Sequence, residues 1–206
     1  MRRVNRSRLL KRGFDVAGAV VGLSLMALPM VLIALAIWTT MGKPILFRQE
    51  RPGLHGLAFR IIKFRTMRAP AGTDDDSDEV RLTGMGRFLR SVSLDELPEL
   101  WNVLKGDLSL VGPRPLLMQY WDLYTPEQAR RHAVKPGLTG WAQINGRNAL
   151  SWQERLEMDV WYVDHQSLWL DLKILCLTLR TIARREGIHA EGHATMPRFR
   201  GNDDPA

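Results

Sequence analysis

The chain carries a single cysteine, Cys176, in 206 residues. No intramolecular disulfide can form, and this usage suits a reducing compartment. Within its apolar run the thiol reads as a buried or lipid-facing small hydrophobe. Acids are scarce at one end. Residues 1–68 hold 13 of the 29 Lys and Arg but only two acids, Asp15 and Glu50, a net +11 against −4 for the remainder. The pI of 10.1 therefore describes one end of the molecule, not a uniformly basic surface. Charge is missing altogether from the 26 residues Val16 to Met41. Metal-type histidine spacing is missing too: His189 and His193 alone are suitably spaced, and they lack the His-Glu-x-x-His order. No internal repeat is visible.

The uncharged run is long enough to matter to a bilayer. As a straight helix it would measure about 39 Å, against a hydrocarbon core of roughly 30 Å. Two features oppose a simple span. Pro29 divides the run into 13 residues before it and 12 after, and an interior proline breaks or kinks a helix. Both flanks are cationic: Arg2, Arg3, Arg6, Arg8, Lys11 and Arg12 precede the run, and Lys43, Arg48 and Arg51 open the following stretch. The positive-inside rule keeps both on the cytoplasmic side. A helix-break-helix that enters and leaves by the same face satisfies both facts. A spanning signal anchor is the alternative; a cleaved signal peptide is disfavoured by the length of the run and the absence of a small-residue cleavage site.

Downstream, Ile45–Gln49 and Leu57–Phe64 read as strands around an Arg51-Pro52-Gly53 turn, which predicts a β-hairpin. Residues Ala69–Glu79 form a polar acidic loop. A helix over Leu97–Lys105 is closed by Gly106, and capping boxes begin at Thr125 and Ser151. The last helix, Leu168 to Arg185, places Leu168, Leu172, Leu175 and Leu179 on one face. That face suits a core or a membrane interface equally, since Trp169 and the terminal arginines fit a headgroup boundary. The tail from Gly187 is rich in Gly, Pro and charge and reads as poorly ordered.

The chemistry concentrates in Ser91–Pro115, SVSLDELPELWNVLKGDLSLVGPRP. Asp95-Glu96 stands at a predicted helix start, with Arg90 before it and Arg114 behind it in a rigid Gly-Pro-Arg-Pro turn. Carboxylates beside fixed guanidiniums suit phosphate chemistry: guanidiniums grip phosphoryl oxygens bidentately, while carboxylates bind a cation or attack phosphorus. Taken alone, an acidic pair in a first helical turn is an ordinary dipole partner.

The surrounding string closely resembles the core of the bacterial sugar transferases, the monotopic phosphoglycosyl transferases, in which Asp-Glu precedes Leu-Pro and the Asn-Val-Leu-Lys-Gly-Asp and Gly-Pro-Arg-Pro strings follow. Lys11, Arg12 and Asp15 match the family's Lys-Arg-x-x-Asp ahead of its membrane helix. Lys63 and Arg65 fall in Lys-Phe-Arg-Thr-Met, and Arg147 in Asn-Gly-Arg-Asn. Gly137 to Gln143 matches the loop before it, where Trp141 either stacks on substrate or packs in the core. The family's usual Ser-Pro break is Leu28-Pro29 here. The resemblance spans roughly residues 9–188, and the short stretch before Lys11 corresponds to the minimal form of the family.

The resemblance implies a mixed α/β, mainly helical protein. A basic N-terminus and re-entrant membrane helix (1–42) would precede a cytosolic catalytic domain (43–188) with a β-hairpin and amphipathic interfacial helices, then a disordered tail (189–206). It implies a nucleophilic Asp95, Mg²⁺ held by Glu96, and phosphate contacts from Lys63, Arg65, Arg90, Arg114 and Arg147, with Asp159 and Asp171 as supporting acids. Arg130, Arg131 and Arg155 read as merely solvated. The implied partners are a UDP-sugar, undecaprenyl phosphate and an anionic bilayer at the cytoplasmic face of the inner membrane, with a homodimer admitted. Nucleic acid is not expected, because the basic residues bracket a lipid-soluble run. Two other readings stay open: a membrane-tethered scaffold, and a glycosyltransferase that releases UDP.

Overall fold

The computed structural model of the protein describes residues 2–69, 78–146, 150–184 and 199–201. Helix α1 covers Arg2–Met41. Its uncharged sequence leaves Val20, Val21, Leu25, Leu28, Val31, Leu32 and Leu35 exposed. Among the described residues it is the one helix long and apolar enough to cross a membrane. Of the break or kink expected at Pro29, no unwound break is present: the proline lies inside a helix whose assignment continues on both sides, which leaves a kink as its role. Proline removes a single backbone donor, and the turns flanking it retain enough hydrogen bonds to carry the helix through.

The hairpin forms as predicted, with its first strand running on through Arg51 and Pro52 of the expected turn. Strands β1 (Leu46–Pro52) and β2 (Ala58–Phe64) pair antiparallel, from Leu46 opposite Phe64 to Pro52 opposite Ala58. Short helices α2 (Asp78–Arg81) and α3 (Gly84–Ser91) follow, α3 being capped by Thr83, whose hydroxyl accepts from the Gly86 amide at 2.9 Å. Helix α4 (Glu99–Lys105) ends at Gly106, whose φ of 95° permits the left-handed cap. Strand β3 (Ser109–Val111) lies parallel to β4 (Gly137–Thr139), and α5 (Pro126–Ala129) sits in the crossover between them. Helices α6 (Trp141–Ile144), α7 (Trp152–His165) and α8 (Leu168–Arg184) complete the order. Both predicted capping boxes, at Thr125 and Ser151, are present.

Helix α1 is bound to the rest of the fold at both ends. Toward its start Lys11, Arg12 and Asp15 are bonded to the rest of the fold. Near its middle Ala19 is buried with Leu100, Val103, Leu108 and Leu110, where a Cβ on Gly18 would stand 2.5 Å from Leu110 Cδ1. Near its end Ile37 is buried with Phe64 and Leu89, with Met30, Ile33 and Met41 around them.

Of the two orientations open to the α8 stripe, most of it takes the outward one. The helix buries Leu170, Asp171 and Ile174, while Leu172 and Leu179 are exposed and Trp169 is 78% exposed. An acid on the inward face prevails because Asp171 finds partners there, so Leu168, Leu172 and Leu179 look outward while Leu175 stays partly buried against the core. Cys176 is likewise exposed. The tail reading is corrected at one point: Phe199 is buried against Leu116, Tyr120 and Leu156, the aromatic contacts being enough to seat it. Residues 189–198, with His189 and His193, and 202–206 lie outside the described residues.

Candidate active site

Ser93 does not cap a helix. Its φ of 56° is left-handed, with no side-chain cap bond, and it leads into a single 3-10 turn, Leu94–Glu96. This turn ends before Pro98 and α4, so Asp95 and Glu96 stand ahead of the helix and not in its first turn. The turn aims Glu96 at β2 and at the Gly-Pro-Arg-Pro segment. Lys63 Nζ lies 2.7 Å from Glu96 Oε1, and Arg114 Nη2 lies 2.5 Å from the same oxygen. Lys63 also reaches Glu99 Oε1 at 3.0 Å. Arg90 on α3 donates through Nε to Thr66 Oγ1 at 3.1 Å.

These contacts split the acids. Burial would raise the Glu96 pKa, but Arg114 and Lys63 overcome it and hold the carboxyl far below its ordinary range. Asp95 is raised, first by burial and then by the Glu96 charge, against the pull of Lys63, Arg90 and Arg114. Glu99 is pushed up to about 7, by burial and by Glu96, with Lys63 opposing. The dipole-partner reading of the acidic pair therefore gives way: α4 starts after both acids, and the pull toward an ionised Asp95 comes from the neighbouring cations.

Further arginines complete the basic wall. Arg51 and Arg155 are each lowered to about 10, by burial and then by the nearby Arg114 charge. Arg155 sits 5.3 Å over the Trp152 ring. Arg131 is fully buried, donating to Asp159 Oδ2 from Nη2 at 2.6 Å and to the Arg114 carbonyl at 2.7 Å. The solvated readings of Arg131 and Arg155 are thus overturned, since both are buried and Arg131 meets partners distant in sequence; Arg130 stays at the surface, paired with Glu127 and Asp164. Asp159 is a supporting acid in the physical sense: it fixes Arg131, which fixes the backbone of Arg114.

Other predicted site residues fall elsewhere. The Arg65 guanidinium donates to the carbonyls of Met41, of Gly42 at 2.8 Å and of Lys43 at 3.1 Å, closing the end of α1, and the residue also lines the cleft that holds Lys63 and Arg114. Free carbonyls at a helix end attract a guanidinium. Arg12 does the same for α4, donating to Val103 and Leu104 carbonyls at 2.6 Å each. Lys11 pairs with Asp171 at 2.7 Å, and Asp15 accepts from Ser109 Oγ at 2.9 Å and the Leu110 amide at 3.0 Å. The Lys11–Arg12–Asp15 motif and Asp171 are therefore a junction between α1, α8 and β3. Trp141 packs in the core region, stacked on Trp161 at 4.8 Å. Arg147 lies outside the described residues.

A cleft of about 1640 Å³ gathers the chemistry. Lys63, Arg90, Asp95, Glu96 and Arg114 line it, and so do Val21 of α1 and Leu175 and Leu179 of α8. A smaller hollow of about 350 Å³ on the hairpin, by Arg48 and Arg60, is separate from these groups. Glu99, Arg51 and Arg155 escaped the sequence reading. Spacing alone offered a signal: Glu99 falls three residues after Glu96, and Arg155 four before Asp159.

The family model for bacterial sugar transferase matches residues 6–185. The chain belongs to that family. It is 54% identical over 198 residues to the uncharacterized sugar transferase EpsL of Bacillus subtilis, covering 95% of this chain and 98% of that one. It is 42% identical over 186 residues to a UDP-glucose:undecaprenyl-phosphate glucose-1-phosphate transferase of Caulobacter vibrioides, covering 84% of this chain and 70% of that one. It is 37% identical over 202 residues to an undecaprenyl-phosphate galactose phosphotransferase of Salmonella typhimurium, covering 89% of this chain and 42% of the other. The protein is a transferase, and it spans less than half of some of the longer relatives it matches.

Proposed function

We propose that the transferase moves a sugar-1-phosphate from a UDP-sugar to undecaprenyl phosphate and releases UMP. The observation that carries this reading is one cleft in which a carboxylate–guanidinium cluster shares walls with apolar side chains of α1 and α8. Such walls suit a donor with a diphosphate and an acceptor with a lipid tail. The relatives' substrates, UDP-glucose in one case, point the same way.

In the first step an Asp95 oxygen attacks the β-phosphorus, and the bond from that phosphorus to the bridging oxygen breaks, with UMP taking the electron pair. In the second, an oxygen of the lipid phosphate attacks the same phosphorus and Asp95 leaves, restoring its carboxylate. Lys63, Arg90 and Arg114 pull Asp95 toward its ionised form, opposing the burial and the Glu96 charge that raise its pKa. Arg114, anchored through Arg131 and Asp159, offers a fixed planar fork to phosphoryl oxygens.

The donor set fits Mg²⁺: three oxygen-bearing acids lie along one short stretch, two of them with raised pKa values that a cation would relieve. Among the described residues no three Asp, Glu, His or Cys side chains form a protein-only cage, in keeping with an ion that retains water and phosphate ligands. Glu96 and Asp95 would hold it, and when bound it would neutralise diphosphate charge.

The same reading puts the protein on the cytoplasmic face as a monotopic re-entrant enzyme. Both ends of α1 contact one domain, which is awkward for a helix whose ends lie on opposite sides of a bilayer. Incubation with labelled UDP-sugar and no lipid should trap label on the wild type. Asp95→Asn should trap none and lose at least about 10³-fold in turnover; label retained on that variant refutes the nucleophile. UDP in place of UMP as product would favour glycosyl transfer, and neither product a scaffold.

A further inference from the structure

Gln143 closes the Gly137–Gln143 string and lines the cleft, yet the chemistry above gives it no task. Both Oε1 and Nε2 are shielded from solvent and lack a hydrogen-bond partner among the described residues. An unmade buried donor beside an unmade buried acceptor is costly and uncommon in a native fold. The carboxamide is also placed with little latitude. A Cβ on Gly140 would lie 2.6 Å from Gln143 Oε1 and 2.2 Å from the Gly112 carbonyl oxygen. Glycine at position 140 thus lets the carboxamide settle beside the turn that carries Arg114.

The missing partner must satisfy both ends of an amide. A phosphate dianion would serve Nε2 and leave Oε1 stranded, and an apolar lipid chain would serve neither. A neutral group with a donor next to an acceptor serves both. On a UDP-sugar, two groups have that chemistry: the imide edge of the uracil and adjacent hydroxyls of the sugar. We propose that Gln143 is a specificity-determining residue of the donor subsite, hydrogen-bonding a neutral donor–acceptor pair on the nucleoside diphosphate sugar. This rests on the transferase reading above.

Gln143→Met keeps the approximate shape and removes both polar ends, so two readouts part company. The ligand-free variant should melt no lower than wild type, because it discards two unsatisfied buried groups; a structural role would lower the melting temperature. Its KM for UDP-sugar should rise about tenfold, as the loss of two neutral hydrogen bonds implies, with kcat within about threefold. Gln143→Glu, which keeps an acceptor and loses the donor, should also raise KM.

Inhibition by UMP identifies the source. A Ki that rises with KM assigns the uracil edge, and an unchanged Ki with raised KM assigns the sugar hydroxyls. KM within about twofold of wild type in Gln143→Met overturns the proposal, as does a lowered melting temperature that accounts for the lost activity. Wild-type UMP release is scored in the same assay. Its absence sinks the transferase reading, whereas its presence with an unaltered Gln143→Met sinks only the role of Gln143.

Discussion

The protein buries two clusters of the same residue types, and they are built differently. At the α1–α8–β3 junction every group has a settled partner. Asp171 meets Lys11 at 2.7 Å and accepts from the Tyr162 hydroxyl at 2.6 Å, while Asp15 is held by Ser109 and the Leu110 amide. In the cleft, Asp95, Glu96 and Glu99 crowd Lys63 and Arg114, with one carboxyl pulled far down and two pushed up. The junction is a closed account of charges; the cleft is one that a phosphate and a cation would complete. Carboxylate and cation content alone does not distinguish them. Satisfaction does.

Removing a cleft group should cost chemistry more than stability. Arg114→Lys should lower kcat/KM about 100-fold, since an ammonium cannot reproduce the two-pronged contact that the guanidinium makes. Steady-state kinetics on the folded variant checks it. Activity near wild type would make Arg114 a generic charge and weaken the contrast.

A pH titration of stability sharpens it next. Glu99 has its folded pKa raised from an ordinary 4.5 to about 7. The native state therefore holds a proton that the unfolded chain has lost, and its stability contribution is complete below about 4.5 and drains away up to about 7. Glu99→Gln should remove that slope and leave the variant more stable than wild type at pH 8. Melting curves of the two proteins across pH 4 to 8 test this; parallel curves would mean that Glu99 is as settled as Asp171.

Much of this contrast was legible in the sequence, but unevenly. The hairpin, the Gly106 cap and the two capping boxes follow from local pattern, and the Asp95–Arg114 string announces a phosphate site because its members are close in sequence. Partners far apart were not legible. Lys11 meets Asp171 across 160 positions and Arg131 meets Asp159 across 28, so Arg131 read as a solvated surface charge and Lys11 as an interfacial one. The same blindness hid Arg65, whose targets are carbonyls at the end of α1. The helix α8 pattern left two orientations open because an apolar stripe is equally at home in lipid, and only the buried Asp171 decides which face turns inward. Pro29 was legible as a helix interruption of some kind, but not as one that keeps the helix assignment continuous, because the loss of one donor does not oblige a helix to stop.

The smallest effect belongs to a surface pair. Arg130→Ala breaks contacts with Glu127 and Asp164 at the protein surface, where solvent screening leaves such pairs little net value. Melting temperature and UMP release should both stay at wild-type levels, and a clear loss in either would show that the two buried clusters do not monopolise the useful charge.

The most direct test sets one acid from each cluster side by side. Glu96→Gln and Asp171→Asn remove one charge apiece, and each protein is scored for unfolding free energy and for UMP released per folded molecule. Asp171→Asn should lose about 3 kcal/mol of stability, as expected when a buried ion pair loses one member, while its folded fraction works at close to the wild-type rate. Glu96→Gln should lose about 100-fold or more in rate with a much smaller stability loss than Asp171→Asn. The reverse assignment, with Asp171→Asn stable but inactive and Glu96→Gln active but unstable, would contradict the division between a structural junction and a catalytic cleft.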